Sequence, residues 1–104
     1  MIICTTDSVP GRQIAAHLGV VKGNTVRARH AGSDFLAGLR NIVGGEVDEY
    51  TKLMAESREQ ALDRMIVAAK ELGANGIIGM RMTTSMVMNK AAEILIYGTA
   101  VRLE

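Results

Sequence analysis

The sequence of 104 residues is poor in the residue types that build disulfides, zinc sites and aromatic cores. Its one cysteine, Cys4, excludes an internal disulfide and any Cys-x-x-Cys zinc or redox site. It has no tryptophan and only three other aromatic residues, Phe35, Tyr50 and Tyr97, so the interior has to be built from aliphatic side chains, methionine and alanine. Although 48% of the residues are hydrophobic, no apolar run approaches the ~20 residues that span a bilayer.

Positive and negative charges are nearly balanced, because the sequence contains twelve Lys and Arg residues and eleven Asp and Glu residues. This balance argues against nucleic acid as a partner. Residues 1–45 hold five bases and two acids, whereas residues 46–71 hold four bases and seven acids. Such alternation suits surfaces that meet across a subunit boundary, although the solvated face of a helix explains the acidic block equally well. Because Met1–Cys4 is followed at once by polar Thr5–Ser8, we expect no signal peptide, no membrane association and a cytoplasmic location.

The segment from Glu46 to Leu72 has the strongest helical pattern. Its apolar residues recur at spacings of three and four, with acids and bases between them: Val47, Tyr50, Met54, Leu62, Met65, Ile66, Ala69 and Leu72. This pattern predicts an amphipathic helix. Asp48 and Glu49 suit the positive end of its dipole, and Gly73 suits a left-handed cap at its end.

A second, shorter helix is predicted before it. Asp34 is placed to cap its start, and Gly44–Gly45 is placed to break its end. Its apolar stripe consists of Phe35, Leu36, Leu39, Ile42 and Val43.

The other segments have the composition of strands. Met1–Thr5 is a short strand candidate, and the longer runs Ile77–Met88 and Glu93–Leu103 follow each other closely enough to predict an antiparallel hairpin. Residues 12–30 are ambiguous, because Arg12–Leu18 could begin a helix whereas the valines that follow favour a bent strand. The order β-β-α-α-β-β predicts one α+β domain over residues 1–104, a two-layer sandwich with an antiparallel sheet and two helices on one face.

The last predicted strand is apolar on both of its faces. Ile94, Ile96 and Ala100 point one way, whereas Leu95, Tyr97, Val101 and Leu103 point the other way. A strand with one wet face alternates apolar and polar residues, so both faces of this sheet need cover. The helices cover one face, and we expect another copy of the chain to cover the other. The sequence therefore predicts a homo-oligomer.

Six short motifs, four of which contain glycine, are spread along nearly the whole chain. In order they are Leu18-Gly19-Val20-Val21-Lys22-Gly23, Gly44-Gly45, Tyr50, Arg58-Glu59-Gln60-Ala61-Leu62, Leu72-Gly73-Ala74-Asn75-Gly76 and Tyr97-Gly98-Thr99-Ala100-Val101. Together they resemble the YbjQ family of small bacterial and archaeal proteins, which is catalogued as heavy-metal-binding and is otherwise uncharacterised. The resemblance implies a dodecin-like subunit that assembles into a homopentameric ring. Many members have an aromatic residue and an acid where this chain has Met82–Thr83, so no role of that acid is transferred.

A metal ion is the ligand that the resemblance suggests. The conventional soft or borderline ligands here are Cys4, His17 and His30, which lie on separate segments. One subunit therefore makes a poor site, whereas a ring could gather copies of one residue around its axis. The alternative for Cys4 is a small buried apolar side chain, the common fate of a free cysteine.

Methionines and arginines offer further candidates. Met80, Met82, Met86 and Met88 share one face of a continuous strand, which indicates packing or, as the alternative, a soft-metal site. Arg58 falls at the helical period of the buried face, where it either pairs with an acid or holds an anion. Arg81 lies beside the methionines and could point into a cleft or across an interface. Arg27, Arg29 and His30 form a basic patch too small and too poor in aromatics for nucleic acid.

Catalytic motifs are missing from the sequence. It has no phosphate-binding glycine loop with a following lysine, no Gly-x-Ser-x-Gly elbow and no His-Glu-x-x-His. A Cys4–His17 dyad would form only if the first two strands paired, and no acid or oxyanion donor can be named for it. We therefore expect a binding module rather than an enzyme, the alternative being a structural or protein-interaction ring without any ligand site.

Overall fold

The computed structural model describes residues 1–27, 48–88 and 91–104, which form one helix against a four-stranded mixed sheet. The elements are β1 (Ile2–Ile3), β2 (Ile14–Arg27), α1 (Asp48–Glu71), β3 (Gly76–Met88) and β4 (Ala91–Leu103). The strand order is β1-β3-β4-β2. The predicted α+β class is confirmed, but the sheet is mixed rather than antiparallel, because β1 pairs with β3 in parallel.

The long helix and the hairpin predicted from the sequence are confirmed. Helix α1 occupies most of the predicted range, and β3 and β4 pair antiparallel over nearly their whole length. The ambiguous region is extended from Ile14 to Arg27, so the helical alternative for its start is wrong. Its pairing with β4 supplies the backbone hydrogen bonds that fix it as a strand. The predicted helix over Asp34–Val43 lies outside the described residues.

The main core lies between α1 and one face of the sheet. Ala61, Met65 and Ala69 recur every four residues along α1 and are fully buried. They pack against sheet residues that include Val21, Ile94, Ile96 and Ala100. Gly23 on β2 allows this close contact, since a Cβ at Gly23 would overlap the Ala61 carbonyl and lie 2.5 Å from the Met65 nitrogen. We call this side of the sheet the helix-covered face.

The opposite face has its own, smaller core at one end. Ile78, Val101 and Leu103 are buried there, and Ile2, Cys4, Val9 and Ile14 pack against them. The prediction that β4 is apolar on both faces is therefore confirmed. At this end, however, the cover comes from the N-terminal segment of the same chain rather than from another copy.

The rest of that opposite face has no cover within the described residues. It presents Val20, Lys22, Asn24 and Val26 from β2, Glu93, Leu95 and Tyr97 from β4, and Arg81, Thr83 and Ser85 from β3. Paired residues on antiparallel strands project from the same side, which places these side chains together. Val20 is 76% exposed and Val26 52% exposed. We call this surface the open face.

Helix α1 ends in the predicted glycine cap. Gly73 adopts a φ of 81°, and its N–H donates to the Lys70 carbonyl at 3.0 Å. The Ala74 N–H donates to the Ala69 carbonyl at 3.1 Å. These bonds satisfy carbonyl groups that the last turn of a helix leaves unpaired, and glycine adopts this conformation without steric cost.

Candidate functional site

Cys4 lies immediately after β1 and continues its pairing with β3. Its N–H donates to the Ile77 carbonyl at 3.0 Å, and its carbonyl accepts from the Met80 N–H at 3.0 Å. The side chain is half-buried against the smaller core, and its thiol donates to the Thr6 carbonyl at 3.7 Å. Within one chain the thiol therefore contributes to packing.

His17 lies on β2, where its side chain is exposed opposite Val101 of β4. Because β1 and β2 form opposite edges of the sheet, β3 and β4 stand between Cys4 and His17. Three strand spacings correspond to about 14 Å. The pairing of the first two strands that a Cys4–His17 dyad requires does not occur.

The ligands that the structure describes within one subunit do not by themselves form a heavy-metal site. Among the described residues, no group of three or more His, Cys, Asp or Glu side chains is close enough to hold a metal ion. His30, the third predicted ligand, lies outside the described ranges. A specific zinc or soft-metal site uses three or four such ligands, so any site built on Cys4 or His17 needs further donors.

Three of the four methionines singled out on β3, Met80, Met82 and Met86, lie on the helix-covered face, whereas the side chain of Met88 lies outside the described part of the chain. Met82 pairs with Ile96 and Met86 with Ala92, and Met80 packs against the main core. Helix α1 lies over β2 and β4, which leaves Met82 44% exposed and Met86 71% exposed. Packing against the main core accounts for Met80. The thioether groups of Met82 and Met86 are exposed to solvent in the described part of the chain.

Three of the arginines singled out in the sequence can be located in the structure. Arg58 is exposed, so the expectation that it lies partly on the buried face is wrong. Arg81 is also exposed, and its Nη1 donates to the Thr5 carbonyl at 2.9 Å and to the Met80 carbonyl at 2.8 Å. Arg81 thus ties the N-terminal segment to β3. Of the predicted basic patch only Arg27 is described, at the end of β2.

A row of charged and aromatic residues crosses the open face and was not recognised in the sequence. Tyr97 on β4 pairs with Lys22 on β2 and with Arg81 on β3. Tyr97 is 40% exposed, and both cations are exposed. The register of three strands creates this row, so only a correct prediction of both strand pairings would have located it.

The architecture places the chain among two-layer α+β proteins. A solved protein of unknown function from Pediococcus pentosaceus has the same fold, with a TM-score of 0.66 over 100% of this chain and 98% of its own. The two are 20% identical, so this likeness concerns the fold alone. No helix in the described ranges is long and apolar enough to cross a membrane.

The chain belongs to the YbjQ family, whose model matches residues 1–104 and is described as "Putative heavy-metal-binding". A UPF0145 protein of Archaeoglobus fulgidus is 59% identical over 103 residues, which cover 99% of this chain and 95% of the relative. A UPF0145 protein of Thermus thermophilus is 55% identical over 104 residues, which cover 100% of this chain and 91% of the relative. The resemblance inferred from the sequence motifs is thereby confirmed.

Proposed function

We propose that the protein is a homopentameric, non-enzymatic module that binds a heavy-metal ion between its subunits. The family description supports the ligand, and the resemblance in sequence motifs supports the number of subunits. The observation that carries the proposal is the separation of Cys4 from His17 by two strands of the same sheet. Since Cys4 and His17 do not meet within one subunit, ligands from other subunits would complete the site in this proposal.

A cyclic ring offers a simple way to assemble such a site. Rotational symmetry repeats each residue around one axis, so copies of a single exposed ligand approach one another without any pairing inside a subunit. His17 is exposed and needs no rearrangement to take part. Cys4 is half-buried, and its thiol would have to give up its contact with the Thr6 carbonyl. His30 is the third candidate ligand.

Native mass spectrometry of protein purified without chelator or affinity tag tests this proposal. We expect a five-subunit mass that carries a reproducible extra metal mass. His17→Ala or Cys4→Ser should remove that mass and leave the pentamer intact, whereas Ser8→Ala, at an exposed position near Cys4, should change neither. A chain that is monomeric at micromolar concentration contradicts the assembly. A pentamer that takes up no metal contradicts the ligand.

The second candidate is a structural or protein-interaction ring without a metal site. The packing of Cys4 against the smaller core favours it, because a side chain used for packing is not free to bind metal. The two candidates differ in thermal unfolding. A bound ligand stabilises the native state by about 2.7 kcal/mol at a hundred times its Kd, so a metal-binding ring should melt at a higher temperature with its metal. A scaffold should melt at the same temperature with every metal.

A further inference from the structure

The open face has an ordered pattern of charge along its strands. Glu93, which accepts a hydrogen bond from the Asn24 Nδ2 at 3.1 Å, lies toward one end. The row that contains Lys22 and Arg81 lies four residues further along β4, and exposed Val20 lies two residues beyond that row. At ~3.4 Å per residue these steps are about 14 Å and about 7 Å. Charge along the face therefore runs from acidic to basic, with exposed Val20 beyond the basic row and exposed Val26 beside Glu93.

The outer side of α1, away from the core, carries charges of the opposite sign at the corresponding steps. Five of its residues recur at spacings of three and four and are all exposed: Lys52, Glu56, Glu59, Asp63 and Val67. Val67 is 55% exposed, although it is apolar. At ~1.5 Å per residue, Lys52 lies about 10 Å from Glu59, and Asp63 lies about 6 Å from Val67. The order along this stripe is therefore basic, acidic, apolar, and its steps are of similar length to those of the open face.

We propose that the open face of one subunit binds the outer stripe of α1 of a second copy. In this contact Lys22 and Arg81 pair with Glu59 and Asp63, Glu93 pairs with Lys52, and Val20 packs against Val67. The proposal rests on the homo-oligomer proposed above and adds the surface through which it forms. The occupant is a second copy because the chain itself carries the complementary sequence of charges and the exposed valine.

Such a contact joins two different surfaces of the same protein. A heterologous contact of this kind leaves the open face free on one subunit and the α1 stripe free on the other, so a closed ring is the finite assembly that satisfies every copy. Complementary charges mainly determine the register of the contact and the choice of partner, and they contribute less to the affinity between subunits. Burial of Val20, Val26 and Val67 supplies apolar area that is exposed in the single chain.

Charge reversal on each side, followed by reversal on both sides, tests the contact. Lys22→Glu and Asp63→Lys each place like charges opposite each other, and we expect each to raise the concentration of half-dissociation at least tenfold in sedimentation velocity at low salt. The double variant Lys22→Glu with Asp63→Lys should restore most of the lost assembly. Arg81 is left unchanged because its bonds to Thr5 and Met80 hold the N-terminal segment.

Matched controls reverse exposed charges outside the two surfaces. Glu71→Lys and Arg58→Glu, at exposed positions of α1 outside the stripe, should leave assembly unchanged. Circular dichroism melts of every variant separate loss of assembly from loss of folding. The inference is overturned if both single reversals assemble like the unaltered chain, or if folded single variants dissociate and the double variant does not recover. In either case a pentamer of the unaltered chain leaves the proposed function standing, whereas a monomeric unaltered chain refutes both.

Discussion

The side chain of Asn75 exchanges two hydrogen bonds with the backbone of Leu103. The amide nitrogen of Asn75 donates to the Leu103 carbonyl at 2.9 Å, and the Leu103 N–H donates to the amide oxygen of Asn75 at 2.6 Å. The side chain thereby supplies the bonds that another strand residue would supply, at the point where the chain leaves α1 and enters β3. Leu103 is itself a buried residue of the smaller core.

We predict that Asn75→Ala destabilises the protein. It removes both bonds to Leu103 and leaves a partly buried N–H and carbonyl without these partners, which costs about 1–3 kcal/mol. Urea unfolding of the variant should show this loss as a lower midpoint with an unchanged slope. Asn24→Ala is the control, because its bond to Glu93 is exposed. Equal stability of Asn75→Ala and the unaltered protein would contradict the prediction.

Local periodicity predicted the elements whose pattern repeats over many residues. The spacing of apolar residues identified α1, and the closeness of two apolar runs identified the pairing of β3 with β4. Residues 12–30 stayed ambiguous because glycines and short polar residues interrupt the pattern. The pairing of Ile14–Arg27 with β4, which lies more than 60 residues away in the sequence, decides the strand. Such non-local pairing is not encoded in any short window.

The candidate site was less predictable than the fold for the same reason. Cys4 and His17 were recognisable as candidate metal ligands by residue type, but their separation depends on β1 pairing with β3 instead of β2. The row of Lys22, Tyr97 and Arg81 depends on two registers at once. The cover of Val101 by the N-terminal segment likewise arises from the path of an irregular segment, which has no periodic signal.

We predict that Gly23→Ala disrupts the contact between β2 and α1. The added methyl group would overlap the Ala61 carbonyl, which is backbone and has no rotamer to change. Overpacking of this kind typically costs about 1–3 kcal/mol, and a rigid backbone neighbour favours the upper end. Thermal unfolding measures the loss. Ala16→Ser, at an exposed position on the same strand, serves as the control and should shift the stability by less than about 0.5 kcal/mol.

We predict that removing the hydroxyl of Thr25 weakens the same contact without changing its shape. Thr25 is 3% exposed, and its Oγ1 donates to the Ser57 carbonyl at 3.3 Å. Thr25→Val keeps the volume of the side chain but loses this bond, for which we expect a cost of about 1 kcal/mol in urea unfolding. Thr25→Ala should cost more, because it also leaves a space beneath α1. If Thr25→Val were as stable as the unaltered protein, the bond would contribute nothing to folding.

We predict that Met65 on α1 and Met86 on β3 differ sharply in their effect on folding. Met65 lies on the core side of α1 and is fully buried, so Met65→Ala removes a core side chain and should cost about 2–5 kcal/mol. Met86 is 71% exposed, so Met86→Ala should change the free energy of unfolding by less than about 0.5 kcal/mol.

The comparison should be made by urea unfolding at a protein concentration where both variants have the same number of subunits, since assembly itself adds stability. A cost at Met86 comparable to that at Met65 under these conditions would mean that a cover outside the described residues, or another subunit, buries the exposed part of the methionine row. A cost at Met86 that appears only at high protein concentration would assign that cover to another subunit, because only intermolecular burial depends on concentration.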